Sequence, residues 1–398
     1  MNYSSFFPEN VKKALQNDPP GAWMSVLPKG CIRLNSGYPA PNLVPAQQIK
    51  AAVDALIKEE QDLPFHYIGS SRTASLPQQI QKRLATHGIS VRQEELLVTS
   101  GACQGIDLIA RSLLDEEAVV AVEAPTYMEA LEIFKNYTNH IIDIPVDEDG
   151  LNTDHLEGML EERKQAGLPM PRLLYTIPTF HNPTGTTMPL KRRKHMLKLA
   201  AAYDFLILED AAYGELSFCE GVTPCKAIDE EGRVIYVGSL SKVIAPGMRV
   251  GWIAGAQELI AVFDWFKKDL GHPFSHATMT SYLEGNALED RLHLLREVYQ
   301  ARCQTMLKAL GEYLPAPITW HIPKGGYFIW VKTPGIDTQQ LLEQALAIGV
   351  AYVPGKYFFL HQQEGTEYLR LSFSYAEEQD MVKGIRKLGE LFASYYKK

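Results

Sequence analysis

The sequence predicts an α/β protein built on a buried, mostly parallel sheet, followed by a smaller α+β unit. Three observations carry this reading. Short apolar runs alternate with helical stretches from about residue 90 to 256, the pattern of a parallel sheet covered by helices. The stretch 257–313 is then largely helical, and the remainder returns to single strands and helices. At 398 residues the chain is too long for one ordinary core, which points to two domains.

The elements follow in order. Residues 1–45 read as an arm, with a short helix near 9–17 and then Pro- and Gly-punctuated coil through "LNSGYPAPNLVP". The strand runs are "AVVAVE" (118–123), "RLLYTIP" (172–178), "FLILE" (205–209) and "RVIYVG" (233–238), with helices between them at 153–165 and 189–203. The tail gives "YFIWVKTP" (327–334), a helix near 337–348, "EYLRLSFS" (367–374) and a closing helix from about 376. The division is therefore an arm of 1–45 packing with the small domain, a large domain of 46–290 and a small domain of 291–398. No internal repeat, low-complexity tract or flexible linker separates them, and domains joined without a linker share a cleft, where ligands bind.

Composition narrows the function. With 46% hydrophobic and 22% charged residues the chain is ordinarily globular, and a net charge of -8 argues against binding a nucleic-acid backbone. The one basic run, "KRRK" at 191–194, reads as a solvated helix face. Five scattered cysteines without CxxC spacing indicate neither a disulfide framework nor a metal site. There is no signal-like N-terminus and no apolar run of about 18 residues, so no membrane span is expected. A reduced, cytoplasmic compartment follows.

Four motifs carry chemistry. "GSLSKVIAPGMRVGW" (238–252) directly follows a strand and brings Ser239, Ser241, Lys242 and Arg249 around a Gly/Pro turn. Hydroxyls and a guanidinium suit a phosphate, and a desolvated lysine beside them becomes an amine nucleophile. "IPTFHNPTG" (177–185) lies after a strand, where open α/β sheets place ligands, and Pro183 restricts Asn182 to extended or turn geometry. Alone, such a segment is only a turn. "LEDAAYGEL" (208–216) puts Asp210 at the end of an apolar run, where a carboxylate is costly unless paired; a helix N-cap is the plainer alternative. "VTSGACQG" (98–105) offers free backbone N–H groups at a helix start, an anion site.

Taken in order, these motifs resemble the class I/II aminotransferases of the PLP-dependent (pyridoxal phosphate) fold type I superfamily, over nearly the whole chain. The likeness is greatest to the 2-aminoadipate and kynurenine aminotransferase branch and to the enzyme-like domains of MocR regulators. The resemblance implies an aspartate aminotransferase-like fold, with a mostly parallel seven-stranded sheet in the large domain. It implies a Schiff base between pyridoxal 5'-phosphate and Lys242. Ser239, Ser241, Arg249 and the amides of Ala102 and Cys103 would hold the phosphate. Asp210 would pair with the pyridinium nitrogen, Tyr213 and Asn182 would bond the phenolic oxygen, and Tyr127 would stack on the ring. Arg370 would clamp the substrate carboxylate, Asn182 and Gly37 would line the substrate site, and Tyr67 would reach the neighbouring subunit's phosphate in a homodimer. The catalytic set is thus Lys242, Asp210 and Tyr213, with an amino acid and a 2-oxo acid as substrates.

The chemistry explains the residue types. The cofactor is an electron sink while its ring nitrogen stays protonated, which a buried carboxylate secures. The displaced lysine moves the Cα proton, and Arg370 favours breaking the Cα–H bond by orientation. Ala102-Cys103 and Arg72 depart from the relatives' pattern; Cys103 reads as a packing residue, while Arg72 stands between a site role and a solvated loop. Other PLP reactions on this scaffold, and a non-catalytic sensing domain, are the alternatives. A regulator's winged helix would not fit ahead of Leu34.

Overall fold

The computed structural model describes residues 3–16, 21, 27–219, 221–269 and 271–396. In the arm are helix α1 (Glu9–Ala14) and strand β1 (Ile32–Arg33). The expected helix at 9–17 is therefore shorter; Leu15 and Gln16 form a turn, and Asn17 lies outside the described residues. Two helices, α2 (Ala46–Glu60) and α3 (Ser71–Thr86), lead into the main sheet.

From β2 to β7 that sheet alternates with helices apart from the β4–β5 step, and it ends on three successive strands: β2 (Leu96–Thr99), α4 (Ala102–Leu113), β3 (Val119–Ala124), α5 (Met128–Lys135), β4 (Ile141–Asp147), β5 (Gly150–Leu151), α6 (Thr153–Gln165), β6 (Pro171–Thr176), α7 (Leu190–Tyr203), β7 (Leu206–Asp210), β8 (Val234–Ser239) and β9 (Gly251–Ala254). The strand order is β2-β9-β8-β7-β6-β3-β4-β5. Seven strands make the sheet as expected, and the two-residue β5 adds an eighth at the edge, antiparallel to β4. Only β9 and β5 run against the rest. Residues of β3, β7 and β8 are almost all buried, because helices cover both faces, which is why these strands read as unbroken apolar runs. Helix α6 begins where expected because Asn152 caps it, accepting from the His155 amide at 2.9 Å.

Helices α8 (Gln257–Phe266), α9 (Pro273–Gly285) and α10 (Leu288–Tyr313) follow. The C-terminal part holds β10 (Thr319–Trp320), β11 (Phe328–Lys332), α11 (Thr338–Ala347), β12 (Val350–Ala351), β13 (Val353–Pro354), β14 (Tyr368–Ser372) and α12 (Glu378–Tyr396). Four of its strands form an antiparallel sheet, β10-β11-β14-β13. The arm's β1 pairs in parallel with β12, and Ser372 N donates to Leu34 O at 2.7 Å. Among the described residues no helix is long and apolar enough to cross a membrane.

The basic run on α7 departs from expectation. Arg193 is fully buried, not solvated. Its Nε donates to Met188 O at 2.9 Å, and its Nη2 to Pro178 O at 2.6 Å and Thr179 Oγ1 at 2.8 Å. Its Nη1 stands 3.7 Å from Glu209 Oε1. The charge is tolerated inside because carbonyls and a carboxylate satisfy it. Arg193 therefore ties the 178–188 loop to β7, and those two segments carry Asn182 and Asp210. Arg72, on α3, is likewise no free loop residue: it bridges Glu59 at 2.6 Å and Glu284 at 3.0 Å.

Candidate active site

The chain steps outward from β3 to β4, then reverses through β6, β7 and β8 on the other side. Such a reversal opens a crevice at the carboxyl ends of the strands. Asp210 and Ser239 are the last residues of β7 and β8; Tyr127, Tyr213 and Lys242 come three residues beyond β3, β7 and β8. A cavity of about 520 Å³ opens there, lined by Gly37, Ala102, Cys103, Tyr127, Asn182, Asp210, Tyr213, Ser239, Ser241, Lys242, Arg249 and Arg370. Every expected site residue but Tyr67 faces one cavity.

Lys242 Nζ donates to Gly37 O at 2.9 Å, which draws the arm over the site. Its backbone is fixed from below, since Tyr327 OH donates to Lys242 O at 2.7 Å. Burial pushes this amine down to about 8, so far more of it is neutral near physiological pH than of an exposed lysine.

Asp210 is buried, and its partners are uncharged: Tyr175 OH donates to Oδ2 at 2.9 Å and Ala212 N to Oδ1 at 3.1 Å. Among the described residues no cation forms a salt bridge with it. Burial raises its pKa, partly offset by these two bonds. A dry carboxylate without a cation calls for one from a ligand.

Helix α4 starts at Ala102 with no side-chain cap, leaving first-turn amides for an anion. Ser239 Oγ lies 2.9 Å from Ser241 Oγ, and Arg249 Nη2 donates to Ser100 O at 2.8 Å. Gly101 makes this approach possible: its φ is +87°, and a Cβ there would stand 2.6 Å from Arg249 Nη2. Amides, two hydroxyls and a guanidinium form a phosphate cradle.

Arg370 sits on β14, its guanidinium 4.1 Å from the Phe328 ring centroid and 5.1 Å from that of Phe358. Nη1 donates to Asn182 Oδ1 at 2.8 Å and Nη2 to Asn35 O at 3.0 Å, while the buried Nε has no partner. Burial lowers its pKa to about 10. Tyr213 is buried too, and burial raises its phenol.

The loop that carries Asn182 is held by contacts the sequence did not announce. His181 Nδ1 lies 2.8 Å from Thr184 Oγ1, and Nε2 lies 3.0 Å from Glu123 Oε2, a contact too bent for a hydrogen bond. Glu123 accepts from Thr176 Oγ1 at 2.6 Å and Ile177 N at 2.8 Å. Glu129 also went unmarked, although it lines the cavity and accepts from the Tyr127 hydroxyl. The acidic residue two positions after Tyr127 was the only signal available. The exposed to half-buried group Asp154, Glu157 and His195 lies outside the cavity lining.

Tyr67 is 87% exposed and lines a separate open groove of about 910 Å³ with Phe65, Phe274 and His272. Arg249 lines both spaces.

The donor set fits pyridoxal 5'-phosphate: an amine of lowered pKa for its aldehyde, the orphan carboxylate of Asp210 for its ring nitrogen, and the cradle for its phosphate. Comparison with known proteins agrees. The family model described as "Aminotransferase class I and II" matches residues 29–388. An aromatic-amino-acid aminotransferase from Thermococcus litoralis is 38% identical, over 100% of this chain and 96% of its own. A 2-aminoadipate transaminase from Thermus thermophilus is 34% identical, over 90% of this chain and 89% of its own. The crystal structure of a kynurenine aminotransferase from Pyrococcus horikoshii superposes with a TM-score of 0.91 at 36% identity, covering 99% and 98% of the two chains.

Proposed function

The chain belongs to the class I and II aminotransferase family, and from that premise we propose that its amino donor is an aromatic L-amino acid and that Lys242, Asp210 and Arg370 carry the transfer. The enzyme is PLP-dependent and moves an amino group from an amino acid to a 2-oxo acid. The observation that carries the residue roles is the cavity itself, where the amine, the orphan carboxylate and the stacked guanidinium converge. Leu27, Tyr38, Met128, Ile177 and Phe328 give its wall an apolar share suited to an aromatic ring, and the names of two relatives, the aromatic-amino-acid and the kynurenine aminotransferase, point the same way.

When bound, the cofactor withdraws electron density from the substrate Cα. Arg370 binds the α-carboxylate with N–H groups not spent on Asn182 and Asn35, the partnerless Nε among them. Asn182 orients that guanidinium through Oδ1 and keeps Nδ2 for the cofactor's phenolic oxygen, which Tyr213 also donates to. Lys242 Nζ, once free, would take the proton from Cα and deliver it to the cofactor's C4′, the carbon on the far side of the amino nitrogen. Asp210 holds a proton on the ring nitrogen. Ser239, Ser241, Arg249 and the Ala102 and Cys103 amides anchor the phosphate, and Tyr127 packs on the ring. Gly37 brings the arm's carbonyl to Lys242. The arm is 1–45, the large domain 46–290 and the small domain 291–398, with α10 as the connecting rod. Among the described residues all five cysteines are free, which suits a reducing, cytoplasmic compartment.

The test is an amino-donor panel run beside Arg370→Ala. Phenylalanine and tyrosine should exceed alanine and glutamate in kcat/KM by about tenfold or more, the scale of a filled against an unfilled apolar site. Arg370→Ala should lose about 2–5 kcal/mol in kcat/KM, the order of a truncated buried charge pair, with the bound-cofactor spectrum retained. A glutamate preference would overturn the aromatic reading; cofactor loss in the variant would overturn the role of Arg370.

The active unit in this reading is a homodimer with shared sites. Leu63, Phe65, Tyr67 and Ile68 stand exposed together beside the groove that meets the cavity at Arg249. Such a patch suits a second copy, and a two-fold axis lets each subunit give Tyr67 to the other's cradle. Mixing Lys242→Ala with Tyr67→Ala subunits should then restore activity, because each heterodimer has one intact site. Verified subunit exchange without recovery would count against sharing.

A further inference from the structure

Glu129 stands in the cavity wall, and amino transfer has no evident use for it. It lies in the first turn of α5, two residues after Tyr127. Its Oε2 is held from two sides, by the hydroxyl of Tyr127 and by the Cys103 thiol at 3.3 Å. Burial pushes Cys103 up to about 12, with the Glu129 charge adding to it, and burial also raises Tyr127. Both groups keep their protons near neutral pH and remain donors. Among the described residues no donor reaches Oε1. A carboxylate fixed through one oxygen and open at the other is a preorganised acceptor.

Its charge acts on the substrate side of the cavity, where it contributes to the shifts of Lys242, Tyr213 and Arg370. Arg33 lines the same cavity with the opposite charge, but its side chain is exposed and its guanidinium sits 5.6 Å from the Tyr375 ring centroid. Solvent screens that cation more than the half-buried carboxylate.

We propose that Glu129 is a specificity-determining residue, which accepts a hydrogen bond from a substrate side chain ending in an N–H or O–H donor and disfavours one ending in a carboxylate. The inference deepens the aromatic reading and rests on it for the side chains that fit. Like charges facing each other across a partly dry wall supply the rejection; the open Oε1 supplies the attraction.

The test uses holoenzyme and two nearly isosteric substrates, 4-aminophenylalanine and 4-carboxyphenylalanine. Beside kcat/KM, calorimetry gives Kd for their non-reacting counterparts, 3-(4-aminophenyl)propanoate and 3-(4-carboxyphenyl)propanoate. The amino compound should be favoured about tenfold or more in both measurements, the discrimination expected of a site built around a donor. Glu129→Gln keeps the shape and an acceptor for Tyr127 but removes the charge, and should cut both ratios about fivefold or more. Glu129→Ala should cut them similarly. A smaller preference in the wild-type enzyme, a preference for the carboxy compound, or ratios that survive Glu129→Gln would each overturn the proposal. Failure to turn over phenylalanine would sink the aromatic reading instead, and the calorimetric ratio would still decide on Glu129.

Discussion

Lys242→Ala should reduce turnover by about 10⁴-fold or more, since one substitution removes both the covalent attachment and the group that moves the Cα proton. The structure makes this more specific than a general loss. The amine is pushed down to about 8 by burial, well below an exposed lysine. Because its protonated form is disfavoured, the neutral form gains population as pH rises and nears completion above that value. The rate at which cofactor-free enzyme captures the aldehyde should therefore climb with pH and level off between about 8 and 9, where an ordinary lysine would keep gaining toward 10 and beyond. Stopped-flow absorbance on wild-type protein measures this directly. Borohydride reduction and peptide mapping should place the adduct on Lys242. An adduct on Lys226 or Lys267, or a capture rate still rising steeply above pH 10, would remove Lys242 from its role.

Asp210→Ala should lose about 10²–10³-fold in kcat, the scale of a lost electrostatic partner in a dry site. The phosphate cradle is built from other elements, so the variant should still load cofactor. Asp210→Asn separates charge from shape. It can keep the bond from Tyr175, now at 2.9 Å, yet cannot hold a positive ring nitrogen. Alanine and asparagine variants should therefore be similarly slow. If asparagine restores most of the rate, the carboxylate serves only to position Tyr175.

The residues that make chemistry were legible because they sit in short motifs at strand ends. "GSLSK" straddles the end of β8, and "LED" closes β7, so a local pattern reports a three-dimensional edge. The parallel strands were legible for a related reason, since burial on both faces leaves an unbroken apolar run. Strand β9 was harder, being four residues with a glycine at its start and no periodicity of its own. Arg193 was misread because nothing in "KRRK" says which of four cations turns inward; that depends on the phase of α7 against the sheet and on the carbonyls of a distant loop. Glu129 escaped for the opposite reason. An acidic residue in the first helical turn is ordinary, and only the fold brings Cys103 and Tyr127 onto the same oxygen.

The buried guanidinium of Arg193 bears on how this protein tolerates change. Lysine has neither the fork nor the reach to serve three acceptors on one loop and a carboxylate on the next strand, so even the mildest exchange leaves polar groups stranded. Loss of that one side chain would loosen the Asn182 loop and the Asp210 strand together. A survey of permitted substitutions along the chain would thus rank Arg193 beside Lys242. Intolerance at this position marks the joint between two halves of the site, and a residue outside the cavity wall would be taken for one that meets the substrate.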